Sequence, residues 1–184
     1  HQNGWQNALT ALRRSECRAR PSLRRRTSAH HLKYKQWPEP EPALQKQWFR
    51  RQIELAKEVK LPIIVHSRDA ADPTMQIIQE TKAYECGGVI HCYSYSPEMA
   101  EEYVKMGFFI GMGGVLTFKN AKKLVRCAER IPLSSIVLET DCPYMAPEPN
   151  RGKRNDSSQL IYVAQKLAEI KGITAEEVKQ VTTK

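Results

Sequence analysis

Short apolar runs alternate with amphipathic stretches along the chain from residue 38 onward. Each run is bounded by turn residues and is typical of a strand buried on both faces. The four runs are LPIIVH (61–66), GGVIHC (87–92), FFIGMGG (108–114) and SIVLETD (135–141). Apolar residues at helical spacing predict helices between them, over 38–60, 73–84, 96–107 and 118–131. Two more helices are predicted over 157–171 and 174–182, the second with a capping box of Thr174 and Glu177.

The regular order of strand and helix, joined by short loops, predicts an α/β fold with parallel strands and right-handed crossovers. A doubly wound sheet and a (β/α)8 barrel both have this order. A dinucleotide-binding sheet would carry G-x-G-x-x-G after its first strand, and no predicted strand here is followed by that motif. Polar residues instead recur at the carboxyl ends of the strands, where barrel enzymes hold their active sites. The pattern therefore favours a TIM-type (β/α)8 barrel.

Composition indicates one domain preceded by an unusual segment. The 184 residues are 41% hydrophobic, enough for one domain with a sizeable core. Of the net charge of +9, residues 1–35 contribute +8, from nine Lys and Arg and one Glu. That segment has no hydrophobic period and is predicted to be disordered or frame-disturbed, whereas 36–184 forms the barrel part. A basic arm that binds nucleic acid is the alternative.

Cysteine usage and the length of the apolar runs bear on the compartment. The five cysteines, an odd number without C-x-x-C, argue for a reducing compartment and against a disulfide framework. No apolar run approaches the ~20 residues of a membrane helix, and no secretory signal follows His1. We therefore expect a cytoplasmic protein with no membrane association and no obligate protein partner.

Three residues of metal-binding type stand at the ends of predicted strands, namely His66, His91 and Asp141. The carboxyl ends of parallel barrel strands converge on one mouth, so these side chains are expected to meet there. Two imidazoles and a carboxylate are a typical ligand set for a divalent cation, and Asp141 could also act as a general base. A lone histidine at a strand end is more often a hydrogen-bonded structural residue, but two at equivalent strand ends with an aspartate at a third favour a metal site.

Two neighbours of these residues have roles that the sequence leaves open. Glu139 precedes Asp141 by two positions and either points the same way or pairs with a neighbouring Arg or Lys. Cys92 follows His91 directly. Because successive strand residues face opposite sides, Cys92 is expected to pack rather than to bind metal.

A basic loop follows Asp141 in the segment RGKR (151–154). Arg151, Lys153 and Arg154 could hold an anionic substrate at the same mouth, and phosphate is the obvious anion. Loops of this composition are usually solvated, so the loop alone is weak evidence for an anion-binding site.

The motifs PIIVHSRDA, GGVIHCYS, GGVLTFKN, LETDCPYMAP and RGKRN resemble those of the TatD family of metal-dependent deoxyribonucleases. The resemblance runs from about residue 38 to the end and implies a cytoplasmic hydrolase of DNA with an amidohydrolase-type barrel. It implies metal ligation by His66, His91 and Asp141, with Asp141 also the catalytic residue that orients or activates the attacking water. Arg68 in the first motif joins Arg151, Lys153 and Arg154 as substrate-binding residues. Mg²⁺ is the expected ion, with Zn²⁺ and Mn²⁺ as alternatives.

The chain departs from the family pattern toward its start. The family carries H-x-H on its first strand and ends a later strand with E-I-G-L-D-Y, and neither motif occurs here. Only about the last four β/α units of the barrel are therefore recognisable, and we expect a TatD-like DNase with an incomplete metal site and little activity of this chain alone. The alternatives are an amidohydrolase with a non-nucleic-acid substrate and an inactive fragment with a nucleic-acid-binding arm.

Overall fold

The computed structural model of the chain describes residues 42–183, so the predicted basic segment 1–35 lies outside the described residues. Strands and helices alternate as predicted. They are α1 Pro42–Val59, β1 Ile63–His66, α2 Ala71–Glu80, β2 Gly88–His91, α3 Pro97–Lys105, β3 Phe108–Met112, α4 Lys122–Arg130, β4 Ile136–Leu138, α5 Leu160–Lys171 and α6 Ala175–Thr182.

The four strands are shorter than the sequence pattern predicts, and the shortening matters most after β3 and β4. β3 ends at Met112 because Gly114–Thr117 forms a 3₁₀ helix. β4 ends at Leu138, so Glu139 and Asp141 stand in the loop beyond the strand. The Glu139 N–H still donates to the Met112 carbonyl at 3.1 Å, so pairing with β3 extends one residue beyond β4.

The described residues fall into two compact units, one ending at Gly88 and one starting at Val89. In the N-terminal unit, β1 runs beside the start of β2, since the Ile63 N–H donates to the Gly87 carbonyl at 3.1 Å. A Cβ on Gly88 would collide with the carbonyl oxygen of Ile63, so glycine is required for this close approach. Ile63 and Val65 of β1 are buried, and Ile64 between them is exposed.

In the C-terminal unit, β2, β3 and β4 are neighbours in chain order. β3 and β4 pair in parallel, with Ile110 opposite Ile136 and Gly111 opposite Val137. The fully buried core includes side chains from these strands and from the helices of the unit: Ile90, Tyr103, Phe108, Ile110, Met112, Ile136, Val163 and Leu167. Parallel strands with a helix after each one confirm the predicted α/β class.

Alternation along these strands separates two faces of the sheet. Ile90, Ile110 and Ile136 lie on the fully buried face. His91 follows Ile90 directly and so belongs to the opposite face, as does Gly111 beside Ile110. Val137 pairs with Gly111, and Glu139 lies two residues beyond it. The fold thus sends His91 and Glu139 to one face at the carboxyl ends of their strands.

The long loop after Asp141 packs on the segment that follows β3. Gly114 approaches Met145 so closely that a Cβ would overlap the Met145 carbonyl oxygen. The Glu148 N–H donates to the Thr117 hydroxyl at 2.9 Å. Both contacts fix where the basic loop starts.

Within residues 42–183, no helix combines the length and the hydrophobicity of a membrane-spanning segment.

Candidate metal centre

Glu139 holds His91 through the nitrogen that faces away from Asp141. The Glu139 Oε2 atom lies 2.5 Å from Nδ1 of His91, and its Oε1 accepts the Cys92 backbone N–H at 2.5 Å. The backbone of Glu139 is itself tied to β3, since its N–H donates to the Met112 carbonyl at 3.1 Å. Both carboxylate oxygens therefore orient the end of β2, and Glu139 pairs with a histidine instead of the Arg or Lys that the sequence left open.

Gly111 makes this arrangement sterically feasible. A Cβ at Gly111 would overlap both carboxylate oxygens and Cδ of Glu139. Only a residue without a side chain lets the carboxylate cross β3 to reach His91 on β2. The sequence carried no signal for this role, because the requirement comes from the neighbouring strand.

The Cys92 side chain does not face away from His91, as strand alternation predicted, whereas whether it packs or binds metal stays a prediction. Its φ is 50°, in the left-handed region that residues other than glycine rarely adopt. Because this conformation ends the strand alternation after His91, the thiol turns toward the ring, and Sγ lies 3.4 Å from Nε2. Strand periodicity does not apply to Cys92, since β2 ends one residue earlier.

Asp141 approaches the same ring nitrogen. Its Oδ1 lies 3.9 Å from Nε2 of His91, and its side chain is 47% exposed. Its carbonyl accepts the Tyr144 N–H at 2.8 Å, which starts the turn of the following loop. The structure thus brings two of the three predicted ligands, His91 and Asp141, together.

The charges around His91 favour a cation. Burial alone would lower the pKa of His91, but the Asp141 carboxylate, the Cys92 thiol and the Glu139 carboxylate stabilise the charged ring and raise its pKa to about 12. Burial also raises the pKa of the Cys92 thiol. A positive charge near Nε2 is therefore strongly favoured in this part of the molecule.

His66 and Arg68 lie in the N-terminal unit. His66 is the last residue of β1, as the sequence predicted, and is half-buried. Ser67 after it is buried, with its hydroxyl 2.8 Å from the Thr74 hydroxyl of α2, which anchors the turn that presents Arg68 to solvent. The ligand role of His66 and the substrate-binding role of Arg68 stay predictions.

The three predicted basic residues of the RGKR loop are exposed. The guanidinium carbon of Arg151 stacks 4.4 Å from the centroid of the Phe118 ring. The Lys153 ammonium donates to Asn150 Oδ1 at 3.2 Å. Beyond Arg154 the loop is anchored by buried Asn155, whose side-chain N–H donates to the Tyr144 carbonyl at 2.7 Å. Binding of substrate by the loop stays a prediction.

Comparison with known proteins decides the family. The family model described as TatD related DNase matches residues 32–184. The chain belongs to this family. A TatD homolog from Escherichia coli K12, YJJV, has a crystal structure that matches with a TM-score of 0.71 at 33% identity, over 76% of this chain and 54% of that one. A TatD family hydrolase from Entamoeba histolytica supports the fold alone, with a TM-score of 0.71 at 21% identity over 98% of this chain and 66% of its own.

The names of curated relatives indicate hydrolases and a deoxyribonuclease. The "Uncharacterized metal-dependent hydrolase YabD" of Bacillus subtilis is 47% identical over 147 residues, which are 80% of this chain and 58% of the relative. Human "Deoxyribonuclease TATDN3" is 39% identical over 140 residues, which are 76% of this chain and 48% of the relative. The chain spans about half the length of the curated relatives it matches.

These comparisons confirm the predicted TatD resemblance and the fold class. The chain has an α/β fold of the TIM-barrel type, with four β/α units in the described residues. It belongs to a family of metal-dependent hydrolases, and its own site fits a metal. A ligating histidine generally donates its other ring N–H to a carboxylate, and His91 has that partner in Glu139.

Proposed function

We propose that the TatD-type protein of this chain hydrolyses DNA phosphodiester bonds in the cytoplasm with a divalent cation. One observation carries the proposal: Glu139 holds Nδ1 of His91 while Nε2 faces Asp141. This is the arrangement of a metal-binding histidine with its orienting carboxylate. The name of the human relative, a deoxyribonuclease, supports DNA as substrate.

The residues at the carboxyl ends of the strands would have two roles, cation binding and proton acceptance. His91 and Asp141 would hold the cation at the carboxyl ends of β2 and β4, and the resemblance to the TatD family assigns a ligand role to His66 as well. When bound, the cation supplies Lewis-acid polarisation of a phosphodiester oxygen and lowers the pKa of water. Asp141 is exposed, so its carboxylate is accessible to accept a proton from an attacking water.

The basic side chains would bind the phosphates of the DNA. Arg151, Lys153 and Arg154 present three cations on one exposed loop, and Arg68 adds a fourth from the turn after β1. Guanidinium groups match phosphate oxygens in a bidentate manner, so the arginines are expected to set the position of the strand. The free cysteines at 86, 92, 127 and 142 support a reducing compartment such as the cytoplasm.

The test compares two polypeptides by release of nucleotides from single-stranded DNA with Mg²⁺, Mn²⁺ or Zn²⁺. One is the 184-residue chain, and the other is human TATDN3 in which this chain replaces the matching segment. We expect EDTA-sensitive release from the second and far less from the first, because the chain spans about half of its relatives and contains no H-x-H.

Two variants and a control decide the roles. Asp141→Asn and His66→Ala should each lower release by the hybrid at least ~100-fold, since the residues are assigned to the metal. Asp72→Asn, an exposed carboxylate in the first turn of α2, should leave release unchanged. A folded hybrid with no EDTA-sensitive release, beside active parental TATDN3, would contradict the proposed DNase function.

A further inference from the structure

We propose that the Cys92 thiolate is an additional ligand beside His91 and Asp141, which makes the centre selective for Zn²⁺ or another thiophilic cation over Mg²⁺. The inference rests on the proposed metal-dependent function. It names a ligand and a class of metal, neither of which the family match specifies.

The first step is the direction of the thiol. Cys92 has a φ of 50°, and its Sγ lies 3.4 Å from Nε2 of His91. In a tetrahedral zinc site, nitrogen lies about 2.1 Å and sulfur about 2.3 Å from the ion, which separates the two donor atoms by about 3.6 Å. The observed spacing therefore suits two ligands of one ion.

The second step is the position of the carboxylate. Asp141 Oδ1 lies 3.9 Å from the same Nε2 atom. Nitrogen and oxygen ligands of one tetrahedral ion lie about 3.4 Å apart, so Oδ1 lies about 0.5 Å beyond the ligand spacing to Nε2. The Asp141 side chain is exposed, which leaves its carboxylate accessible to an ion held by His91.

The third step is the support behind both donors. One carboxylate, Glu139, accepts the Nδ1 hydrogen of His91 and the backbone N–H of Cys92. The second bond holds Cys92 in its left-handed conformation, which costs energy for a residue with a side chain. Such strain is retained where the surroundings enforce it, and here it points the thiol at the imidazole.

The ligand set decides the metal class. Mg²⁺ prefers oxygen ligands in octahedral geometry, whereas thiolate and imidazole together suit Zn²⁺. A plain hydrogen bond from the thiol to Nε2 is the competing explanation for the same distance. The two explanations differ in whether sulfur contacts the ion.

Titration of the full chain with Co²⁺, as a spectroscopic probe for Zn²⁺, separates them. We expect a near-ultraviolet sulfur-to-cobalt charge-transfer band in the unaltered protein. The band should persist in Cys142→Ser, a matched control at an exposed cysteine next to Asp141, and disappear in Cys92→Ser. By calorimetry, Cys92→Ser should lower Zn²⁺ affinity ~10–100-fold and leave Mg²⁺ affinity within about threefold. Circular dichroism confirms that each variant is folded.

Failure of this proposal differs from failure of the proposed function. Co²⁺ binding that is lost in Asp141→Asn but shows no charge-transfer band, with equal Zn²⁺ affinity in Cys92→Ser, would refute thiolate ligation and leave the metal site in place. Absence of any binding of Zn²⁺, Co²⁺ or Mg²⁺ to the folded chain would overturn thiolate ligation in this chain, whereas the proposed function is decided separately by the TATDN3 hybrid.

Discussion

At the scale of single residues, Glu139 organises the candidate centre. Its carboxylate reaches across Gly111 of β3 and makes two hydrogen bonds at the end of β2. One oxygen bonds Nδ1 of His91, and the other accepts the backbone N–H of Cys92. The Glu139 carboxylate influences metal binding without being a ligand itself. By fixing the ring and the following peptide, it decides where Nε2 and Sγ point, so its neighbours should matter to metal affinity as well.

The contact between Gly111 and Glu139 gives a residue-scale prediction. Gly111→Ala should lower affinity for a divalent cation ~10–100-fold, because the added methyl displaces the Glu139 carboxylate that orients His91. Calorimetric titration with Zn²⁺ measures the loss.

The control for that experiment introduces Gly111→Ala into a protein that already carries Glu139→Ala. Without the carboxylate there is nothing for the new methyl to displace, so Gly111→Ala should then cost little further affinity, and the two losses should not add. Full additivity of the two substitutions would show that Gly111 acts elsewhere.

At the scale of elements, α3 and α6 begin with side-chain N-caps, whereas α2, α4 and α5 have none. Ser96 caps α3 by accepting a hydrogen bond from the Met99 N–H at 3.3 Å, and Pro97 takes the first helical position. Arg130 of α4 pairs with Glu101 of α3 at 2.8 Å, but both groups are partly exposed and such pairs contribute little. The caps are therefore the more informative targets for mutation.

α6 provides the element-scale prediction. Thr174 Oγ1 accepts the Glu177 N–H at 3.2 Å, and Glu177 Oε2 accepts the Thr174 N–H at 2.8 Å. Thr174→Ala should destabilise the protein by about 1 kcal/mol, whereas Thr174→Ser should be close to neutral because it keeps the hydroxyl. Urea unfolding measures both. An equal loss in the two variants would mean that the threonine methyl, rather than the cap, stabilises α6.

At the scale of the C-terminal unit as a whole, the core holds acidic groups in their neutral forms. Tyr93, Tyr103 and Phe108 pack edge to face, with ring centroids 6.4 and 6.2 Å apart. Cys127 is fully buried and donates its thiol hydrogen to the Tyr95 carbonyl at 3.6 Å. Burial raises the pKa of the Cys127 thiol from 9.0 to about 11 and raises the pKa of Tyr93 as well.

These groups predict a loss of stability at high pH. The Cys127 thiol ionises near 9.0 when unfolded and near 11 when folded, so its contribution is full below pH 9.0 and is lost as pH rises through about 11. The urea midpoint should therefore fall between about pH 8 and about pH 10.5. Cys127→Ala should reduce that fall, and the exposed control Cys142→Ala should not. An unchanged pH dependence in Cys127→Ala would rule out this thiol as a source.

The sequence by itself determined the features that depend on local periodicity. Apolar runs and helical stripes predicted the alternation of β1 to α6, and the spacing of Thr174 and Glu177 predicted the capping box that the structure contains. The positions of His91 and Asp141 at strand ends predicted that they meet, because parallel strands converge at their carboxyl ends. The resemblance to the TatD family followed from motifs at these same positions.

Only the tertiary structure decided the partners of those residues. The sequence left Glu139 between two roles, and its pairing with His91 depends on the register of β3 and β4 and on the missing side chain of Gly111. Strand alternation in the sequence placed the Cys92 side chain on the face opposite His91. Alternation stops at His91, however, and the left-handed φ of Cys92 turns its thiol toward the imidazole. Local patterns report the period of an element, whereas contacts across strands and the conformation of the residue after a strand are set by packing between distant parts of the chain.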